Sequence, residues 1–428
     1  MRKIVNSKVN SSNRCTGTQE DNTMGNTRDH RVLAGGITIS NDTHKTFLNN
    51  NDTVVGGTGV GKTSLYMAPN IENAMNESIV VADTKGNLCK RYREMLEQRG
   101  YRVLNIDFKN IRNSEAGFNP IAYIRRMRDG HYLDQDIIKL GSLLCPCNPD
   151  SNQDPFWDYS AQNYINCAIA CMLETAKRSD RNMATLFEYA GKICSQGFAM
   201  LIESLRSDKR KRAESYALKC YRQVEETRES EKTMSSILSV MRSHLTVFDS
   251  ADALKLFMHE NQLRFERLGD EKTALFLTIS DSDRSMDRLV NLMYTNMFDA
   301  LIRHADSQPG ERLKVPVHFY MDDFATNTTI PEFDNLISVI RSREISVSII
   351  IQGIEQLTKS YPKGASTILA NCDHIVFLGA ADPVTADYIS TRIGKMRTTV
   401  MNLPRDKAYL IEAGKKPRQV DKYPAREV

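Results

Sequence analysis

The stretch Thr53 to Ser64, TVVGGTGVGKTS, constrains this chain more than any other. Gly56, Gly61, Lys62 and Thr63 satisfy the spacing G-x-x-x-x-G-K-[ST], and the β-branched run Thr53, Val54, Val55 ahead of them reads as a short strand. Asn49, Asn50, Asn51 and Asp52 supply a turn before that strand, and a helix-compatible segment follows. Strand, glycine-rich turn and helix in that order form a phosphate-binding loop. The glycines let backbone N–H groups turn inward around phosphates, the lysine ammonium supplies charge to the β and γ oxygens, and the Thr63 hydroxyl can ligate Mg²⁺. The binding set is therefore Gly56, Gly57, Thr58, Gly59, Val60, Gly61, Lys62, Thr63 and Ser64.

A chain of 428 residues has room for two or three domains, or for one large core with an insertion. Its 57 basic and 53 acidic side chains leave a net charge of only +4, so any nucleic-acid contact must come from a local patch. The densest candidate is Lys209, Arg210, Lys211 and Arg212. Nine cysteines at irregular spacing, Cys145 and Cys147 among them, fit neither a disulfide framework nor a zinc pattern and read as reduced, hence cytoplasmic. The most apolar windows, TALFLTIS and ISVSIII, are strand-sized, so no membrane span is expected. Residues 1–35, rich in Asn, Ser, Thr and charge, are expected to form a disordered polar leader.

From Gly36 to Asn51 the pattern suggests a short hairpin leading into the loop strand. After the loop, Leu65 to Met75 reads as a helix containing Pro69, and Ser78 to Ala82 as a strand ending at Asp83, Thr84, Lys85 and Gly86. A charged helix from Leu88 to Gln98 and a strand from Arg102 to Ile106 repeat the scheme, which implies parallel pairing. A helix near Asp134 to Leu144 closes this first part of the nucleotide domain, taken as 36–150.

Residues 151–265 read as an all-helical insertion. Phe156, Trp157, Ala161, Tyr164, Ala168, Cys171 and Met172 recur at steps that make one apolar face, which marks Phe156 and Trp157 as core and not as base-stacking platforms. Further helices are expected at Met183–Ser195, Ala213–Arg228 and Glu231–Thr246. Residues 266–415 return to α/β, with strands at Thr273–Ile279, Val317–Met321, Ile345–Ile351, His374–Gly379 and Ala408–Ile411. Helices are expected there at Arg284–His304, Phe333–Arg343 and Thr385–Ile393, and 416–428 as a flexible tail.

The strand VPVHFYM ends in Asp322 and Asp323. One carboxylate at such a position can hold Mg²⁺ through water, and a second can orient the attacking water; Asp322 fits the first role and Asp323 the second. The strand ISVSIII ends in Gln352; in nucleotide motors of the RecA type a polar residue at this strand end faces the γ phosphate and can report its loss, and the alternative is a strand-terminating amide in solvent. Arg341 and Arg343 between these signals are candidates to stabilise charge in a neighbouring subunit's site.

In order, GGTGVGKT, VVADTKGNL, a helical insertion opened by DPFWDYSA, FYMDDFA with IPEFDNLISVIRSREISVSIIIQGIEQL, and LANCDHIVFLG resemble the type IV secretion coupling proteins. The likeness runs from about residue 36 to residue 415. It implies a RecA-like P-loop NTPase domain of the α/β class with a central, mostly parallel sheet and an inserted all-helical domain. It implies ATP and Mg²⁺ as cofactors and ATP hydrolysis coupled to movement of single-stranded DNA or a relaxase–DNA substrate. The implied partners are relaxosome proteins, the secretion ATPase and channel components, and further copies of the chain in a hexameric ring.

In the family's pattern Lys62 and Thr63 serve the phosphates, Asp322 the metal and Gln352 the sensor, while Arg341 falls where a trans-acting arginine is sought. Asp323 departs from the Asp-Glu common in the family and draws the second carboxylate back by about 1.5 Å. The polar leader, where coupling proteins usually begin with transmembrane helices, implies recruitment by a separate membrane subunit or a soluble branch of the family. Two rival readings are a DNA-pumping ATPase of packaging or segregation, and a nucleotide-gated adaptor that docks substrate with weak hydrolysis.

Overall fold

The computed structural model describes residues 30–147, 154–208, 214–326, 329–380 and 382–424. Its frame is a nine-stranded sheet in the order β11-β10-β9-β3-β8-β7-β4-β6-β5. The strands are β3 (Asp52–Gly56), β4 (Ser78–Asp83), β5 (Arg102–Asp107), β6 (Thr273–Thr278), β7 (Val317–Met321), β8 (Ile345–Ile351), β9 (His374–Gly379), β10 (Lys407–Glu412) and β11 (Arg418–Asp421). From β9 across to β5 every pairing is parallel, while β10 and β11 add antiparallel strands at one edge.

The parallel strands are near-continuous runs of Val, Ile, Leu and Phe because both sheet faces are covered. Val54, Ile79, Val81 and Phe276 pack with Tyr66, Ile71, Tyr92 and Leu96 from helices on one face. Val55, Val80, Leu275 and Leu277 point into the opposite core, which runs on into the helices of 156–257 and 287–307.

The helix Phe156–Thr175 is buried without interruption from Tyr164 to Leu173. The single apolar face expected of it is therefore wrong: a helix covered all round needs no polar stripe. Its neighbours are Asp134–Leu144, Met183–Gly191, Tyr216–Thr227 and Glu231–Leu245. Asp134–Leu144, expected to close the first part of the nucleotide domain, packs on this helix. Phe156 at the helix start is 42% exposed, against its expected place in the core, while Trp157 does pack on the core from its edge.

Four further readings are corrected. His30–Ala34 is a strand, β1, paired with β2 (Ile37–Ser40), so the last residues of the expected leader form a strand. The hairpin accordingly turns at Gly35-Gly36, and a short helix, Thr43–Thr46, fills the rest of the expected hairpin. In the expected tail, β11 pairs with β10, and Gly35 N donates to Asp421 O at 2.8 Å. The helix after the phosphate loop starts at Thr63 with a wide π turn to Met67 and continues as Ala68–Asn73. Pro69 sits at the start of that second piece, where its missing N–H breaks no ladder. Lys209 to Arg212 lie outside the described residues.

β1 is held by charge as well as by its buried Val32, Leu33 and Ala34. Arg31, fully buried, donates from Nε to Asp52 Oδ2 at 2.7 Å and from Nη2 to Oδ1 at 3.2 Å. The Asp52 carboxylate also meets His374 Nδ1 at 3.0 Å and accepts from the Tyr66 hydroxyl. Tyr66 continues to Ser348 Oγ at 2.8 Å, and Ser348 to His318 Nε2 at 2.7 Å. Although burial opposes its charge, the Arg31 guanidinium and the His374 contact hold the Asp52 carboxyl well below the usual range. Burial, with Arg31 nearby, pushes His318 down to about 3.

Removing the cation alone strands a buried carboxylate, so Arg31→Met is expected to cost about 3–5 kcal/mol, read from the urea midpoint. His318 gives a pH signature of known sign. Its imidazole is protonated in the unfolded chain below about 6.5 but stays neutral in the fold until about pH 3, so stability drains away as pH falls between those values. His318→Gln should remove one proton's worth of that slope in denaturation curves taken from pH 7 to pH 4.

Candidate nucleotide site

The phosphate loop hangs from β3, which lies between β8 and β9, and turns at the carboxyl ends of the parallel strands. Gly59 and Gly61 hold φ of +78° and +93°, a region closed to most side chains. Gly56 is needed for space: a Cβ there would stand 2.6 Å from Val60 Cγ2 and 3.2 Å from Leu378 Cβ. Lys62 Nζ donates to Gly56 O at 3.0 Å, and Gly57 N to Gly379 O at 2.8 Å, so the loop is closed on itself and on β9. Leu65 N bonds Gly61 O at 2.8 Å and starts the helix directly out of the loop.

Asp322 and Asp323 follow β7 and Gln352 follows β8, and both strands end on the same edge as β3. Asp322 is 8% exposed, and its carboxyl is pushed up to about 7, first by burial and then by the charge of Asp323, with Lys62 opposing. Asp323 sits at φ +49°, uncommon for a non-glycine residue. Its Oδ1 accepts from Gln352 Nε2 at 3.2 Å, while Gln352 N donates to Gln356 Oε1 at 3.2 Å. Lys62, Asp322, Asp323 and Gln352 thus converge at one place from separate strand ends.

Arg341 does not join them. It lies in the turn before β8, at the other end of a seven-residue strand, about 20 Å from Gln352. There Arg341 Nη2 donates to Phe47 O at 2.8 Å, and Arg343 Nε pairs with Asp306 at 2.8 Å.

Asp83, noted in the sequence only as a polar strand end, is a structural cap. Its carboxylate accepts from Lys85 N, Gly86 N and Leu88 N at 3.2, 2.8 and 2.6 Å and starts the helix Leu88–Gln98. Sequence reasoning missed Gln356 and Asp382. Gly353 leaves room for Asp382, whose Oδ2 would stand 2.7 Å from a Cβ there, and Ile354 N donates to Thr385 Oγ1 at 2.7 Å. Asp382 is a recognisable helix cap before Pro383, so a capping signal could have found it.

The donor set suits a magnesium ion shared with phosphate. Asp322 and Asp323 crowd their charge at the loop, with Asp83 near enough to raise Asp322 further, and Lys62 is the cation acting on it. Among the described residues no group of three or more His, Cys, Asp or Glu could hold a metal by itself. An ion here would take its remaining ligands from water and phosphate oxygens, as magnesium commonly does.

Residues 6–402 match the family model for conjugative DNA transfer by the type IV secretory system. The chain belongs to that family. VirD4 of Rhizobium radiobacter is 29% identical over 127 residues, which are 29% of this chain and 18% of that protein. VirD4 of Rhizobium rhizogenes is 28% identical over 127 residues, with the same shares. The aligned stretch thus spans 18% of the length of these curated relatives.

Among solved structures, the conjugative coupling protein TrwB in an unbound form matches with a TM-score of 0.64 at 16% identity, covering 92% of this chain and 88% of that one. TrwB in complex with the ATP analogue ADPNP gives 0.65 at 16%, over 93% and 91%. VirB4 of Thermoanaerobacter pseudethanolicus gives 0.57 at 14%, over 94% and 97%. The family member described here therefore has the RecA-like phosphate-loop NTPase fold, and among its described residues no helix is long and apolar enough to cross a membrane.

Asp322 gives the site a measurable cost. In the folded, ligand-free protein it takes a proton near pH 7, and in the unfolded chain near pH 4, so stability falls as pH rises through that interval. Asp322→Asn should raise ligand-free stability at pH 8 by about 2–4 kcal/mol and leave it nearly unchanged at pH 4, as read by thermal melting.

Proposed function

We propose that this chain is an ATP-driven motor of conjugative DNA transfer, which moves single-stranded DNA or a relaxase–DNA substrate to a type IV secretion channel. The observation that carries it is the convergence of Lys62, Asp322, Asp323 and Gln352 at the loop in a chain of the conjugative-transfer family. TrwB, with the same fold, has been solved with ADPNP and with ADP and Mg²⁺, which supports ATP and Mg²⁺ as the cofactors here. We assign the working position to the inner face of the cell membrane beside the channel, in a hexameric ring.

Lys62 leaves Gly56 O and binds the β and γ oxygens, and the loop amides from Gly57 to Thr63 orient the same phosphates. Thr63 Oγ1 and the Asp322 carboxylate are the groups that would hold Mg²⁺, which when bound neutralises charge on those oxygens. Asp323 orients the attacking water and Gln352 reports the γ phosphate. Arg341, remote from its own loop, serves the site of a neighbouring copy. Because Asp323 is short and engaged by Gln352, hydrolysis is slow until substrate or a partner releases it.

The same contact favours a second reading, a nucleotide-gated adaptor that binds ATP and docks substrate with little turnover. An ATPase assay with and without single-stranded DNA, with Lys62→Ala as the blank, separates the two. The motor reading expects low basal turnover, stimulation of about tenfold or more by DNA, and faster basal turnover in Asp323→Glu. ATP binding with no DNA-stimulated turnover would leave the adaptor in its place.

A further inference from the structure

Between Ile124 and Leu133 the chain makes a tight hairpin. Met127 N bonds His131 O at 2.7 Å, Leu133 N bonds Arg125 O at 3.0 Å, and Arg126 pairs with Tyr132 across it. Gly130, at φ +96°, makes the tip possible. Arg125 grips Asp136 with Nε at 2.8 Å and Nη2 at 2.7 Å, which fixes the hairpin's base. The hairpin closes one side of a cleft of about 330 Å³, with Glu174, Arg181 and Ser215 opposite. A second cleft of about 470 Å³ shares Arg181 and is lined by Tyr123, Arg178 and Arg264.

The guanidinium groups here are prepared for an anion. Arg126 and Arg181 lie 5.8 and 5.5 Å from the centre of the Tyr132 ring, and Arg181 Nη1 donates to the Tyr132 hydroxyl at 2.5 Å. Arg181 Nε is buried with no partner, and among the described residues Arg126, Arg178, Arg181 and Arg264 have no carboxylate partner. Two of the acids in the first cleft are turned to its own walls. Glu174 accepts from Ser215 Oγ at 2.6 Å and Ala217 N at 3.2 Å, and Asp129 accepts from His131 N at 2.9 Å. Glu214 and Glu266 stand with the linings of the first and second cleft.

We propose that these adjoining clefts bind the phosphodiester backbone of single-stranded DNA, a reading that rests on the proposed function. A guanidinium matches a phosphate with paired N–H donors, and the Tyr132 ring holds Arg126 and Arg181 in place before the ligand arrives. Two clefts that share the Arg181 wall suit a polymer with an anionic group at every repeat, so successive phosphates meet Arg126, Arg181, and then Arg178 with Arg264. The surface reads charge and not sequence, as a transfer motor requires.

The test uses the full chain and fluorescein-labelled oligothymidylate of about 30 nucleotides, with anisotropy followed from low to moderate salt. Arg126 and Arg264 are exposed and lie in different clefts, so Arg126→Ala and Arg264→Ala leave the half-buried Arg181, with its buried Nε, in place. Each is expected to weaken binding about three- to tenfold and to lower the salt slope by about 0.7, with near-additive loss in the double variant and an unchanged melting temperature. A double variant that binds DNA as tightly as the wild type, with the same slope, overturns the assignment and leaves the motor reading standing. If it keeps DNA affinity but loses binding to a polyglutamate peptide, the clefts take acidic polypeptide and the assignment is equally overturned. A wild-type chain that binds no single strand even at low salt removes the proposal together with the reading beneath it.

Discussion

Asp52 carries a charge that water does not reach, at the first residue of the strand that ends in the phosphate loop. Everything around it is arranged to satisfy that charge. Arg31 arrives from β1, His374 from β9 and Tyr66 from the helix that follows the loop. A buried ion pair adds little net stability by itself, but removing one member is costly, and that asymmetry enforces a specific arrangement. The arrangement specified here fixes β1, β3, β9 and the loop helix relative to one another. Asn70 reinforces it by bonding both Val32 N and Val32 O, at 2.8 and 3.0 Å.

The phosphate loop was legible in the sequence because its requirements are local: two glycines at set φ, a lysine one residue on, and a strand before them. Asp322, Asp323 and Gln352 were legible as polar residues ending apolar strands, because ligands gather at that edge of a parallel sheet. The Arg31–Asp52 pair was not legible. The two are 21 residues apart, and nothing in HRVLA says that its arginine points inward until the partner strand is known. A polar leader with a buried strand at its end looks the same in composition as one without. Phe156 failed for the opposite reason: its spacing fits the apolar series, but the helix end outruns the layer that covers its middle.

The carboxylates at the loop oppose the fold and favour the chemistry. Asp83 has resolved its own charge on three backbone N–H groups, but Asp322 is buried beside Asp323 with Lys62 as the cation acting on it. That arrangement destabilises the ionised Asp322 while no ligand is bound. It is the expected signature of a cation site, since a divalent ion would convert the same repulsion into binding energy. The left-handed backbone at Asp323 and Ala325 points the same way, because strain of this kind survives only where the surroundings enforce it.

The two networks meet in one helical turn, and this decides where the site can move. Thr63, which would touch the metal, and Tyr66, which touches Asp52, are three residues apart on the same wide turn. A shift of that turn toward phosphate would pull the Tyr66 hydroxyl from both Asp52 and Ser348, leaving buried polar groups unpaired at about 1–3 kcal/mol each. The contacts on the loop side are weaker. In Lys62 to Gly56 O and Gly57 N to Gly379 O the donors Lys62 and Gly57 are half-exposed, although Gly56 is buried, so phosphate can replace their acceptors. On these contacts the strand and the helix are expected to stay fixed, and any change on phosphate binding to fall on residues 57 to 62.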